Sequence, residues 1–249
     1  MGELDRAIDD YTRVVQLVPQ DASAYYGRGL AYAQRNDFDV ALADLGEAVR
    51  LDPKHAGAYF ERARILMIQG NLAGAIADCD RVIQLDPASA AAYDLRGTAY
   101  LRGWEPGRAV DDYTRAIRLS PDHSVAYANR GVAYHHQGDL ERAIADYDEA
   151  IRLDPGSAAA YYNRGIAYAQ QPEPAAPAAG SLAPGRYTAA RAPYRPGDLA
   201  LADFNQAIRL NPKDGDAYYN RGVIYARANQ QARAKADFSM ARELGTPSP

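Results

Sequence analysis

Residues 127–155 read YANRGVAYHHQGDLERAIADYDEAIRLDP. Nearly the same phrase recurs along the chain, so the period is read before any local motif, each copy being one supersecondary unit. Pro19, Pro53, Pro87, Pro121 and Pro155 stand 34 residues apart. The next, Pro212, follows after 57 residues, which is 34 plus 23. Each closes an amphipathic run, as RLDP does at 152–155. A proline ring cannot continue a helix interior but suits a helix start, so each proline is expected to end one helix and open the next. Capping residues follow at one offset: Asp21, Ser89, Ser157 and Asp214, with His55 and His123 in the other two units.

Each unit carries two helical runs. The first places Tyr, Gly and Tyr at i, i+4 and i+7, as in Tyr127, Gly131 and Tyr134, which is one helix face. The second places a small residue, a large one four later and a small one three after that, as in Ala143, Tyr147 and Ala150. Glycine facing alanine lets the two helices approach closely, and the large residue fills the space beside them. The unit from Ala56 departs from this, with Ala63 for the glycine, Leu66 for the second tyrosine and Cys79 for the large residue. Cys79 is read as a buried small apolar side chain rather than a reactive thiol. Trp104 and Pro106 sit in an inter-helix turn, where the indole is either a contact point or a cap on the neighbouring turn.

Set side by side, these offsets resemble the tetratricopeptide repeat family, in its Tyr-x-Asn-Arg-Gly form. The resemblance covers a half unit at 1–21, regular units at 22–55, 56–89, 90–123 and 124–157, an interrupted unit at 158–214 and a last unit at 215–249. It implies an all-α, right-handed superhelical solenoid of antiparallel helix pairs, read as one array. The interruption, about 171–197, holds six of the fifteen prolines and falls between paired helices. Its composition favours a disordered or polyproline-like loop. It is either a tolerated surface insertion or a recognition segment built on Arg186, Tyr187, Arg191, Tyr194 and Arg195.

One pairing recurs in every unit. Arg28, Arg62, Arg96, Arg130, Arg164 and Arg221 share one offset in the first helices. Asp10, Asp44, Asp78, Asp112, Asp146, Asp203 and Asp237 share one offset in the second. The arginines point near the buried face, where an unpaired charge is costly. A ladder of two-pronged guanidinium–carboxylate pairs is therefore expected. Catalytic carboxylates or an anion-binding arginine row is the alternative, but repetition in every unit marks architecture. If each Asp pairs within its unit, Asp10 is orphaned; if with the next, Asp237 is.

Composition limits the function classes. There are 28 Lys and Arg against 32 Asp and Glu, a net charge of -4, which argues against broad nucleic-acid binding. One cysteine excludes a disulfide framework and a cysteine-based zinc site. His135 and His136 point about 100° apart on a helix and cannot easily share a metal. No phosphate loop and no G-x-S-x-G pattern occurs, so neither catalysis nor a cofactor is expected. No apolar run approaches the ~20 residues of a membrane helix. The charged start is not a signal peptide, so the chain as given reads as cytoplasmic.

Binding remains. By resemblance, the first helices line a concave groove for a peptide or helix of a partner protein. Its side chains would be Tyr26, Phe60, Arg64, Asp94, Asn129, His135, Tyr162, Asn163, Tyr219 and Asn220, with Leu30, Met67 and Thr98 beside them. The carboxylate clamp of one subfamily is not present: its positions hold Tyr26 and Leu30, Phe60 and Arg64, Ala128 and Val132. The reading is a non-catalytic interaction scaffold. The alternative is a recruiting segment of a larger enzyme such as a glycosyltransferase. The chain opens on a second-type helix and ends without an extra capping helix, so it is expected either to be part of a longer repeat protein or to self-associate through an uncapped end.

Overall fold

The computed structural model describes residues 2–172 and 195–246. Among them every regular element is an α-helix. The chain divides into two compact units, Met1–Asp122 and His123–Pro249. The first holds α1 (Glu3–Leu17), α2 (Ala22–Gln34), α3 (Phe38–Leu51), α4 (Ala56–Ile68), α5 (Leu72–Leu85), α6 (Ala90–Arg102) and α7 (Pro106–Leu119). The second holds α8 (Ser124–His136), α9 (Leu140–Leu153), α10 (Ala158–Gln170), α11 (Pro196–Leu210), α12 (Gly215–Arg227) and α13 (Gln231–Glu243). Even-numbered helices are the first helices of the repeats. Odd-numbered ones are the second.

The expected caps start the first helices. Asp21 accepts from the amides of Ser23 and Ala24, Ser89 from Ala92, Ser157 from Ala160 and Asp214 from Ala217. His55 does the same through Nδ1, accepting from Ala58. His123 makes no such side-chain bond. The prolines take a narrower role than expected. Pro53 lies in the turn between α3 and α4, and the cap at His55 opens the next helix. The residue before the proline fixes that turn. The side chains of Asp52, Asp86, Asp154 and Asn211 each accept from the amide two residues on. This is the turn Asx residues form on their own backbone.

Within a repeat, the two helices meet at the glycine. A Cβ on Gly131 would lie 2.6 Å from the Tyr147 ring, and one on Gly165 would lie 2.9 Å from Phe204. The unit from Ala56 reaches the same closeness by exchange: Ala63 adds a methyl where Cys79 removes a ring, and both are fully buried. Between repeats of the same unit, the second helix packs on the next first helix. Val49 of α3 sits with Ala58 and Ile65 of α4, and Ile208 of α11 with Ala217 of α12.

The turns within the pairs α2–α3, α4–α5, α6–α7, α8–α9 and α12–α13 use the left-handed region. Asn36, Gly70, Gly138 and Asn229 hold φ between +57° and +79° there, and Trp104 holds +60°. The Trp104 indole is 78% exposed. Residues Arg186, Tyr187, Arg191 and Tyr194 of the insertion lie outside the described residues.

Candidate functional site

The arginine–aspartate ladder forms, and its register is within each repeat. Arg28, Arg62, Arg96, Arg130, Arg164 and Arg221 grip Asp44, Asp78, Asp112, Asp146, Asp203 and Asp237 in turn. In each pair Nε reaches Oδ2 at 2.7–2.8 Å and Nη2 reaches Oδ1 at 2.6–2.8 Å. All six aspartates are buried. Asp10 is the one left over: it is exposed, with no hydrogen bond or ion pair among the described residues.

Two further contacts went unread in the sequence. The remaining guanidinium nitrogen reaches back to the preceding repeat, two residues past its ladder aspartate. Arg28 Nη1 donates to Thr12 at 3.3 Å, Arg96 to Asp80 at 2.5 Å, Arg164 to Asp148 at 2.5 Å and Arg221 to Asn205 at 2.7 Å. At Arg62 that position is Gly46, which has no side chain to offer. The Arg96 guanidinium is pushed above the ordinary arginine range by its bond to Asp112, against burial and with help from Asp80. Each ladder arginine also lies 5.3–5.6 Å from the ring of the tyrosine three residues earlier. Where a tyrosine follows four residues later, it stands 5.9 Å away in four of the repeats. A guanidinium over an aromatic face is attracted by the ring quadrupole. This accounts for much of a composition with 19 tyrosines and only 4 phenylalanines.

The groove candidates fall on first helices, as expected, and several are tied to each other. In the first unit, the Tyr26 ring lies 4.5 Å from the His55 ring, and burial pushes its hydroxyl pKa up. Phe60 is half-buried, and Arg64 is exposed and ion-paired with Glu61 at 2.7 Å. The Asp94 backbone carbonyl accepts from Thr98, whose hydroxyl also meets the Tyr113 hydroxyl at 3.1 Å. Met67 is a correction. It is 5% exposed and packs with Ala63, Ala75, Cys79 and Ala99. A long, flexible thioether fills the room that the small Cys79 leaves.

In the second unit, polar contacts cross between first helices. His135 Nε2 meets Gln170 Oε1 at 2.7 Å, joining α8 to α10. Asn220 Nδ2 donates to the Tyr162 hydroxyl at 3.2 Å, joining α12 to α10, and to the Asp216 carbonyl at 2.9 Å. Burial pushes the Tyr162 hydroxyl pKa up. Tyr162 and Tyr219 lean on Phe204 and Phe238, at 6.1 and 5.6 Å. Asn129 and Asn163 differ from these: both are half-buried, and neither amide has a partner among the described residues. Among the described residues no group of three His, Cys, Asp or Glu could hold a metal ion, and no helix is long and apolar enough to cross a membrane.

Family models described as tetratricopeptide repeat match residues 29–90 and 112–145, and one described as TPR repeat matches 1–34, 133–171 and 198–229. The chain belongs to the tetratricopeptide repeat family. Comparison with curated protein sequences gave no match. Among solved structures this tetratricopeptide chain is similar to YrrB, described as a TPR protein with an unusual peptide-binding site. The identity is 20% over 90% of this chain and 100% of that one, with a TM-score of 0.64. MamA is similar at 26% identity, over 76% of this chain and 96% of that one, with a TM-score of 0.60. The C-terminal part of a TPR protein from Cytophaga hutchinsonii is similar at 16% identity, over 98% and 92%, with a TM-score of 0.69. These likenesses bear out the fold: an all-α tetratricopeptide solenoid of helix pairs.

Proposed function

We propose that this chain is a non-catalytic interaction scaffold that holds an extended peptide of a partner protein along its first helices. The observation that carries the reading is the pair Asn129 and Asn163. They share one offset on α8 and α10, and neither amide has a partner among the described residues, while their neighbours Tyr162, Asn220, His135 and Gln170 are engaged with one another. A carboxamide both donates and accepts, which matches the two polar groups of an extended peptide backbone. Tyr162 and Tyr219 supply aromatic surface of the kind that anchors interfaces. The peptide-binding site named for YrrB supports the same reading by likeness. The two compact units are read as one array because the 34-residue spacing from Pro121 to Pro155 passes their boundary unbroken.

The test begins with peptides selected by display on the immobilised chain. The tightest is then measured by calorimetry against the wild type, Asn129→Ala/Asn163→Ala and Tyr162→Ala/Asn163→Ala/Tyr219→Ala. Each variant should lose roughly tenfold or more in affinity, at about 1.4 kcal/mol per decade, with its circular dichroism unchanged. Equal affinity for all three proteins overturns the assignment of the groove.

A further inference from the structure

Gly46 stands inside α3, where glycine weakens a helix because it has the most backbone freedom to lose. Close packing explains Gly29, Gly97 and Gly131, where a Cβ would come within 3.0 Å of the side chain beneath. It does not explain Gly46. Apart from its own helix backbone, a Cβ there would reach a single atom, Arg62 Nη1, at 4.0 Å. Arg62 gives Nε and Nη2 to Asp78, and among the described residues Nη1 has no acceptor. At the same offset Arg96 Nη1 donates to Asp80 and Arg164 Nη1 to Asp148, each at 2.5 Å, while Thr12 and Asn205 serve Arg28 and Arg221. The Arg62 side chain is 25% exposed, against 16–19% for the other five ladder arginines. Glu47, the acid next to Gly46, is held by Arg50. The surroundings are apolar: Leu42 and Val49 stand on the same side of α3, four before and three after Gly46. The Tyr59 ring lies 5.5 Å from the Arg62 guanidinium.

We propose that the notch at Gly46, between α3 and α4, is a binding site for a carboxylate, supplied by an Asp or Glu side chain that a partner protein presents between apolar neighbours. The carboxylate accepts from Arg62 Nη1 as Asp80 accepts from Arg96 and Asp148 from Arg164. Charge complementarity and these two internal precedents fix the ligand's chemistry. Asp78 does not forbid a second anion, since Arg96 holds Asp112 and Asp80 together, and Arg164 holds Asp203 and Asp148. A hydrogen bond with one charged partner is stronger than a neutral one, and both partners are charged here. The apolar neighbours of the acid meet Leu42 and Tyr59, which line the crevice half-buried. No residue of the proposed peptide groove takes part.

The test follows the arginine side-chain NMR signals of the isotope-labelled, full 249-residue chain. The probes are sodium acetate, exchanged for chloride at constant ionic strength, and the capped tripeptides Val-Asp-Val and Val-Asn-Val. Acetate should shift the Arg62 signal saturably and leave those of Arg96 and Arg164 in place, because Asp80 and Asp148 already occupy the matching position. Val-Asp-Val should bind about tenfold tighter than acetate through its apolar flanks. Val-Asn-Val, without the charge, should bind about tenfold more weakly than Val-Asp-Val. Gly46→Asp places a carboxylate of the chain's own against Arg62 and should abolish the shift, with circular dichroism unchanged. Gly46→Asn closes the notch in the manner of Asn205 and should do the same, which keeps the test open if the aspartate variant folds poorly. A linear response at Arg62, an equal shift at Arg96 and Arg164, or a shift that survives both substitutions overturns the site. Acetate binding as tightly as Val-Asp-Val overturns the partner, since the notch would then take free small carboxylates.

Discussion

Tyr147 is fully buried, and its hydroxyl has no hydrogen-bond partner among the described residues. Tyr113, one repeat earlier, meets Thr98 at 3.1 Å; the matching position beneath Tyr147 is Val132. Val132→Thr supplies the missing partner and should raise stability by about 1 kcal/mol, seen as a higher urea midpoint at unchanged slope. An unchanged midpoint would show that the valine methyl matters more than the hydroxyl. Trp104 holds φ +60° at a turn position where other repeats use Asn or Gly. A bulky side chain is strained there, so Trp104→Asn should stabilise by about 1 kcal/mol. A drop in melting temperature would instead give the indole a packing role. Burial pushes the Cys79 thiol pKa from 9.0 up to about 12. The unfolded thiol ionises first, so the contribution of this group is whole below about pH 8.5 and is lost as pH climbs towards 12. Cys79→Ala should flatten part of the alkaline fall in stability. In the wild type, the thiol should resist Ellman's reagent at pH 8 until the chain is unfolded.

Each first helix is fastened by a bidentate arginine grip on its own partner helix, and in α2, α6, α10 and α12 the same arginine adds a single grip on the helix before. Breaking a buried pair leaves a bare charge, so Arg96→Met should cost about 3–5 kcal/mol, while Arg96→Met/Asp112→Leu should recover most of it. Urea melts of the two variants decide this, and equal losses would mean that the pair stabilises outright. Asp80 is half-exposed, and Asp80→Ala should cost no more than about 1 kcal/mol. The ladder was legible in the sequence because one residue type recurs at one offset. Its register was not, since spacing alone does not say which neighbouring helix lies within reach. The second grip was hidden because its position changes identity, through Thr12, Gly46, Asp80, Asp148 and Asn205. The exposed face of the first helices was legible as a helix face, but the surroundings of its residues were not. Met67 and His135 share an offset, yet the first is drawn into the core beside Cys79 while the second bonds Gln170. Their fates depend on the size of neighbours on other helices, which the period does not encode.

At the scale of the whole chain, the repeat tolerates an interruption without changing its joints. Arg164 and Asp203 are 39 residues apart, against 16 at every other rung, yet their fork has the same 2.7–2.8 Å distances. Gly165 meets Phe204 as Gly131 meets Tyr147. The pairing of α10 with α11 thus uses the same helix-face contacts as the uninterrupted repeats. Excising residues 172–194 removes 23 positions and restores the period of 34. Arg195→Gly is needed with it, since the matching Gly138 sits at φ +77°. Pro196→Asp then stands where Asp139 caps α9 by accepting from the Arg142 amide. Closing a loop of 16 residues in place of 39 lowers the entropic cost of pairing by about 0.8 kcal/mol. The shortened chain should thus melt at the same temperature as the wild type or a few degrees above it, with unchanged helical circular dichroism. A loss of more than about 2 kcal/mol would mean that the excised residues hold α10 and α11 together, against the geometry of their joint, since loop length alone is worth less than that.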